Sequence, residues 1–261
     1  MRKVKIIGII SLLLLIIILS HIRSENKGEQ YYESLRETEE SIEETKTIKK
    51  PIKLIDETVK EETVVEETQE IEPVRLSGYT HSKTVDFDKY YNMNSDYVCW
   101  ITIPDTKIDY PVVFTDSEYY LHRSFDKKEL YAGTLFIDPY STKGLDQDNL
   151  IIYGHNMKNG SMFGTLKNFK NKDYFDKHPY IEIYTKDEIR IYQIFSVREV
   201  SSDINTLNYA LDNFDKKEYI EKAIKQSVQS RTIDSDNQIL SLSTCVGDTS
   251  RRLLISAIRV N

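Results

Sequence analysis

The stretch Leu242-Ser243-Thr244-Cys245 ends one run of apolar and β-branched residues, and the stretch Arg252-Leu253-Leu254-Ile255-Ser256-Ala257 begins the next. Both runs have the composition and alternation of β-strands, and the residues at 247–250 between them are typical of a loop. Cys245 therefore stands where a strand meets a loop, whereas a packing cysteine usually lies in mid-strand. A thiolate can attack a carbonyl carbon, and an arginine can hold the negative charge that develops on the oxygen.

A histidine follows an earlier apolar run, in Tyr153-Gly154-His155-Asn156. An imidazole at the mouth of a strand suits proton transfer near neutral pH, although a lone loop histidine is more often an ordinary surface residue. If Cys245, His155 and Arg252 converge, they supply the parts needed for thiol-based acyl transfer. The other histidines are interpreted as surface residues without the spacing of metal ligands: His21, His81, His122 and His178.

Two alternatives stay open at these positions. Side chains alternate along a strand, so Arg251 and Arg252 point to opposite faces and only one of them can reach Cys245. A disulfide between Cys99 and Cys245, the two cysteines of the chain, is the alternative to a reactive thiol. Cys99 lies within an alternating run at 97–101 and is better explained as core packing.

Residues 82–261 have the pattern of one mainly β domain. Roughly 180 residues are enough for a single core, and short strands with few helices between them favour a barrel. One helix is well signalled at 215–229, after a capping Asn213 or Asp215. Shorter helices are predicted at 86–93, 117–123 and 161–169. The predicted strands are 98–103, 107–113, 133–138, 149–154, 180–185, 188–198, 238–244 and 252–260.

A basic and then apolar segment opens the chain. The five residues before Ile6 include three basic side chains, and the run from Ile6 to Ile22 is almost wholly apolar. Residues 1–23 therefore predict a cytoplasmic tip and an uncleaved transmembrane anchor, with the catalytic domain outside the cell. A cleaved signal peptide is the alternative, but no small-x-small cleavage site follows the run.

Residues 24–81 predict an acidic stalk, disordered or loosely helical. Between residues 24 and 72 there are 16 acidic and 7 basic residues and a repeated Glu-Glu-Thr, so little apolar area is available to offset the ordering entropy. The stalk accounts for the net charge of −7, and the domain is near neutral. The domain has no basic patch interleaved with aromatic residues, which argues against nucleic-acid partners.

Residues 84–261 resemble the sortases, and among them class B. The resembling segments are Asn94–Ile101, Ile103-Pro104, Ile108–Val113, Tyr119-Tyr120-Leu121, Gly133–Asp138, Tyr153–Asn156, Met162-Phe163-Gly164, Leu242–Cys245 and Arg252–Ala257. The family fold is an eight-stranded β-barrel, and a helix between the sixth and seventh strands marks class B. The predicted 215–229 helix has this place. The interval from Cys245 to Arg252 is slightly short for the class, which keeps Arg251 as an alternative.

The resemblance implies a membrane-anchored cysteine transpeptidase that needs no cofactor or metal. Cys245 would cleave a C-terminal sorting signal, of Asn-Pro-x-Thr or Leu-Pro-x-Thr type, after its threonine and form a thioester. His155 would move protons, and Arg252 would hold the oxyanion. The partners would be surface proteins that bear the signal and an amine of cell-wall peptidoglycan. The alternatives are a pilin-polymerising sortase, a hydrolytic cysteine peptidase and a tethered binding domain without activity.

Three further residues are expected to bind the substrate. Ser243 lies two residues before Cys245, so its side chain shares the face of the strand on which the nucleophile lies. Leu121 is placed in the pocket for the apolar positions of the signal by the resemblance alone. Thr244, next to the nucleophile, completes the predicted set.

Overall fold

The computed structural model describes residues 2–47, 79–202, 215–233 and 235–261. The predicted helix cap Asn213 and the stalk between residues 48 and 78 lie outside the described residues. The helices are α1 (Arg2–Thr47), α2 (Phe87–Met93), α3 (Lys172–Lys177) and α4 (Lys216–Gln226). The strands are β1 (Tyr97–Thr102), β2 (Asp109–Val113), β3 (Leu135–Ile137), β4 (Asn149–Tyr153), β5 (Tyr180–Tyr184), β6 (Ile189–Ser201), β7 (Gln229–Ser230), β8 (Ile239–Val246) and β9 (Asp248–Arg259).

Eight of these strands close into a barrel. Their order is β5-β1-β2-β3-β4-β8-β9-β6, and β5 also pairs with β6, which joins the two ends of the sheet. The two-residue strand β7 adds to the free edge of β6. Most neighbours are antiparallel, but β2 pairs with β3 and β4 pairs with β8 in parallel. The prediction of an eight-stranded barrel is confirmed, since each predicted strand overlaps one strand of the barrel.

Strand β1 is buried on both of its faces. Cys99, Trp100 and Ile101 are wholly buried in β1, and burial raises the pKa of the Cys99 thiol well above its usual range. Cys99 is therefore part of the core, where a small apolar side chain fits. Both Cys99 and Cys245 are free thiols, so the alternative of a disulfide between them does not hold.

The helix predicted at 215–229 is present as α4, in the connection between β6 and β8. Asp215 caps it, because its carboxylate accepts a hydrogen bond from the backbone N–H of Glu218 at 3.0 Å. The helix buries one apolar stripe in a small cluster that covers the outer face of the sheet. The cluster consists of Phe195, Tyr219, Ile220, Ala223, Ile239 and Ile258.

Part of the predicted stalk lies against the barrel instead of in solvent. Residues 24–47 continue helix α1, and positions 25, 28, 32 and 35 are buried on one face of it. The Tyr32 hydroxyl donates to the carbonyl of Gly133 at 2.6 Å, and a Cβ at Gly28 would meet the Ala132 Cβ at only 2.5 Å. Composition averaged over the whole acidic segment hid this stripe. The chain divisions at residues 23 and 81 stay predictions.

The predicted transmembrane anchor at residues 1–23 is wrong. Within the described part of the chain, no helix combines the length and the apolar character that crossing a bilayer requires. A spanning helix needs about 20 predominantly apolar residues. The run from Ile6 to Ile22 is shorter than that and is interrupted by glycine, serine and histidine. The single-pass localisation and the membrane partner predicted from this run are withdrawn with it.

Candidate active site

Parallel pairing of β4 with β8 brings His155 and Cys245 to the same edge of the barrel. In this pairing Tyr153 lies opposite Ser243. His155 comes two residues after Tyr153, and Cys245 comes two residues after Ser243. Parallel strands run side by side about 4.8 Å apart, so residues at equal distances beyond a pair stay at the same level. The two residues are separated by 90 positions in sequence, and this pairing brings both to the same edge of the barrel.

The hairpin of β8 and β9 places an arginine opposite the cysteine. Cys245 pairs with Arg252 across the two strands, and Arg252 Nη1 donates a hydrogen bond to the Cys245 sulfur. Arg251 points the other way and forms an ion pair with Glu199 at 2.5 Å. The positive charge at the thiol therefore comes from Arg252, and a guanidinium has further N–H donors for a substrate oxygen.

The His155 imidazole is fixed by a backbone carbonyl. Its Nε2 lies 2.7 Å from the Leu121 carbonyl oxygen. Since a carbonyl only accepts hydrogen bonds, Nε2 carries the hydrogen, and Nδ1 is the nitrogen that can exchange a proton with a reacting group. Burial lowers the pKa of His155, the Leu121 carbonyl opposes this effect, and the charges of His122 and Arg252 add to the lowering.

Hydrogen bonds join the loop that carries His155 to the strand that carries Cys245. The Thr244 hydroxyl donates to the Gly154 carbonyl at 2.7 Å, and the Asn156 side-chain amide donates to the Cys245 carbonyl at 2.8 Å. Only glycine fits at position 154, because a Cβ there would lie 2.3 Å from a methyl carbon of Leu135. These hydrogen bonds therefore link the segments that carry the two candidate residues, Cys245 and His155.

A cavity of about 380 Å³ joins the candidate residues. Ser243 is wholly buried in its wall, and the Ser243 hydroxyl has no hydrogen-bond partner among the described residues. The structure does not bring Thr244 into this cavity, since alternation turns its side chain toward Gly154. The residues of the wall that matter for the chemistry are Leu121, His122, His155, Ser243, Cys245 and Arg252.

Two aromatic side chains beside His155 were missed by the sequence interpretation. His122 and Tyr131 both stack on the His155 ring, with ring centroids 5.1 and 5.8 Å away. His122 was interpreted as an ordinary surface histidine. Its position directly after Leu121 was the one signal in the sequence, because a residue beside a predicted pocket residue is a candidate for the same site.

The chemistry of the cavity is that of a thiol, an imidazole and a guanidinium. Among the described residues, no group of three or more His, Cys, Asp or Glu side chains is placed to hold a metal ion. The arrangement suits attack of the sulfur on a carbonyl carbon of a substrate. The guanidinium can contact the sulfur and the carbonyl oxygen, and the imidazole can transfer protons.

Comparison with known proteins identifies this arrangement. The family model of the sortase domain matches residues 101–260. The chain belongs to the sortase family. Sortase B of Listeria monocytogenes is 34% identical over 185 residues, which are 68% of this chain and 73% of that protein. Sortases of this family are cysteine transpeptidases, so this sortase is an enzyme of that type.

Solved structures assign the sortase to class B. The X-ray structure of Clostridium perfringens sortase B superposes with a TM-score of 0.61 at 30% identity, over 67% of this chain and 99% of that one. Sortase B from B. anthracis superposes with a TM-score of 0.59 at 31% identity, over 67% of this chain and 84% of that one. The helix α4 between β6 and β8 agrees with the expectation for class B.

Proposed function

We propose that this sortase cleaves a C-terminal sorting signal of Asn-Pro-x-Thr or Leu-Pro-x-Thr type after its threonine and joins the surface protein to an amine of cell-wall peptidoglycan. The observation that carries the proposal is the convergence of Cys245, His155 and Arg252 on one cavity. A thioester on Cys245 connects the two halves of the reaction. No step needs a cofactor.

In the first half, the His155 imidazole takes the proton of the Cys245 thiol as the sulfur bonds to the threonine carbonyl carbon, and the carbonyl electron pair moves to the oxygen. Arg252 donates hydrogen bonds to this oxyanion. When the intermediate collapses, the bond to the leaving nitrogen breaks, and the His155 imidazolium gives that nitrogen its proton. The thioester and the released C-terminal peptide are the products.

In the second half, His155 takes a proton from the incoming amine as the amine nitrogen attacks the thioester carbon. The carbon–sulfur bond breaks, and Cys245 leaves as a thiolate beside the Arg252 guanidinium. A new amide bond then joins the surface protein to the acceptor. Burial lowers the pKa of His155, which favours the neutral imidazole, the form that acts as the base in this half.

The experiment that tests the function measures both halves at once. The full chain is incubated with a fluorogenic pentapeptide of each motif, with and without an amine acceptor such as triglycine or a peptidoglycan stem peptide. Mass spectrometry then identifies the cleavage and ligation products. We expect cleavage after threonine and an acceptor-dependent ligation product. Hydrolysis alone, unchanged by acceptor, would support a hydrolytic peptidase, and ligation only to a lysine side chain of a pilin-type peptide would support a pilin-polymerising enzyme.

We propose that Ser243 and Leu121 bind the sorting-signal peptide and contribute to its recognition. Ser243→Ala removes a buried hydroxyl that the substrate is free to pair with, so we expect kcat/KM to fall about fivefold, the effect of one hydrogen bond. Leu121→Ala keeps the carbonyl that holds His155 but removes apolar contact, and we expect about a tenfold loss. A panel of pentapeptides measures both. Equal kcat/KM for every peptide in the variants and the wild type would remove these residues from the binding site.

A further inference from the structure

We infer that His122, backed by Tyr131, is a positioning residue for transpeptidation that holds the plane of the His155 ring. The inference rests on the proton-carrying role proposed for His155. Neither aromatic residue belongs to the set of nucleophile, proton carrier and oxyanion partner.

The three rings form one near-parallel group. The planes of His122 and His155 differ by 22° at a centroid distance of 5.1 Å, and those of Tyr131 and His155 differ by 12° at 5.8 Å. His122 and Tyr131 also contact each other, at 5.9 Å and 16°. Offset parallel rings attract one another, so a tilt of the imidazole loses contact with both neighbours at once.

One short element fixes His155 in two directions. The 3₁₀ segment Tyr119–His122 supplies the Leu121 carbonyl, which accepts from His155 Nε2 at 2.7 Å, and the next residue supplies the stacking ring. The hydrogen bond sets the rotation of the imidazole within its plane, and the ring contact sets the plane itself. Together they leave Nδ1 with one direction in which to exchange protons.

The segment is itself anchored in the core. Tyr120 is wholly buried, its hydroxyl donates to the Asp96 carboxylate at 2.7 Å, and the Asn94 amide donates to the same hydroxyl at 2.8 Å. The backbone N–H of Thr134 also donates to the Tyr120 carbonyl at 3.0 Å. A support of this kind gives the preorganised geometry that proton transfer requires.

The charge of His122 acts directly on His155. Burial is the largest influence on the pKa of His155 and lowers it. The hydrogen bond to the Leu121 carbonyl raises this pKa, and the charges of His122 and Arg252 lower it further. Two imidazolium rings in contact repel each other, and because His122 is exposed, the surrounding solvent reduces this repulsion. The titratable and charged groups that line the catalytic cavity around this pair, and an adjoining cavity of about 550 Å³, are Glu118, Tyr119, Arg123, Glu129, Tyr131, Asp138, Tyr140, Tyr153, Cys245 and Arg252.

The test separates the ring from the charge. His122→Phe keeps a flat ring without a titratable group, and His122→Ala removes both. His81→Phe is the control, because His81 Nδ1 contacts a backbone carbonyl, as His122 Nδ1 contacts the Tyr131 carbonyl at 3.5 Å, and its ring contacts Tyr184, but His81 lies outside both cavities. Each full-length variant is assayed for kcat and KM with the sorting peptide. The His155 ring is titrated by NMR, with its signal assigned by its loss in His155→Gln.

We expect His122→Ala to lower kcat about tenfold or more with a smaller change in KM, because a misplaced proton carrier slows the chemical step. His122→Phe should restore most of kcat. In His122→Phe the midpoint of the His155 titration should move to higher pH, since the repelling charge is gone, and His81→Phe should leave it in place. The inference is overturned if the His155 titration midpoint in His122→Phe equals that of the wild type. It is also overturned if His122→Ala keeps the wild-type kcat, or if His122→Ala and His122→Phe lose kcat equally.

Failure of this inference and failure of the proposed function give different results. If the wild-type enzyme forms no ligation product with any amine, the proposed function fails, yet the His155 titration still reports whether His122 acts on it. If the wild type ligates and the His155 midpoint is insensitive to His122, only the inference fails. The NMR readout also remains valid for a variant that has lost its activity.

Discussion

Replacing Cys245 by alanine should reduce cleavage of the sorting peptide by about 10⁴-fold or more, because Cys245 is the proposed nucleophile and no other thiol lines the cavity. The protein should stay folded, since Cys245 is only partly buried and its removal leaves the barrel core intact. Steady-state assays with the fluorogenic pentapeptide measure the loss, and intact-mass spectrometry should find a peptide adduct on the wild-type enzyme only.

Cys99→Ala is the matched control for the nucleophile. Cys99 is wholly buried in β1, and burial keeps its pKa too high for a useful thiolate. We expect this variant to retain most of its kcat/KM, with a modest loss of thermal stability from the small cavity that it creates. If activity survives in Cys245→Ala and disappears in Cys99→Ala, the nucleophile is Cys99 and the assignment of Cys245 is wrong.

Arg252→Lys should lower kcat by about 10² to 10³-fold, the usual effect of losing one oxyanion donor. Lysine keeps the positive charge but lacks the planar fork that can contact the Cys245 sulfur and a substrate oxygen together. Because the loss concerns the transition state, KM should change much less than kcat. Urea unfolding should show little change, which separates a catalytic effect from a structural one.

Arg251→Lys tests the register of the last strand. Arg251 precedes Arg252 in the chain, but it faces Glu199 on the other side of the sheet, and its side chain is 58% exposed. An exposed ion pair contributes little to stability, so we expect nearly wild-type rates and stability. Rates that fall in Arg251→Lys and persist in Arg252→Lys would mean that the β8–β9 register is shifted by one residue.

Local sequence patterns predict the strands and put Cys245 and an arginine at the ends of two successive strands, but they leave Arg251 as an alternative to Arg252. The apolar alternation before Cys245 and after Arg252, with a short loop between, favours an antiparallel hairpin, and alternation separates Arg251 from Arg252. Asp215 marks the start of helix α4 for the same local reason, since a carboxylate there can cap the first turn. These features depend on neighbours within a few residues, and the sequence displays such neighbours directly.

The N-terminal region shows where averaged composition misleads. The acidic residues around α1 predict a solvated stalk, but Gly28 and Tyr32 lie on one face of the helix and contact the barrel near Ala132 and Gly133. A narrow stripe of four buried positions changes the mean composition little. The partner surface is about 100 positions away in sequence, so no local pattern announces the contact.

Local patterns along the chain predict the strands, the capped start of helix α4 and the residue types of the candidate site. The parallel pairing of β4 with β8, which brings His155 to the edge where Cys245 lies, and the contact of the His122 ring with His155 arise only in the folded chain. The difference comes from the range over which each kind of interaction acts. Local propensity acts over a few residues, whereas pairing across about 90 positions depends on closure of the whole barrel, which a single strand does not encode.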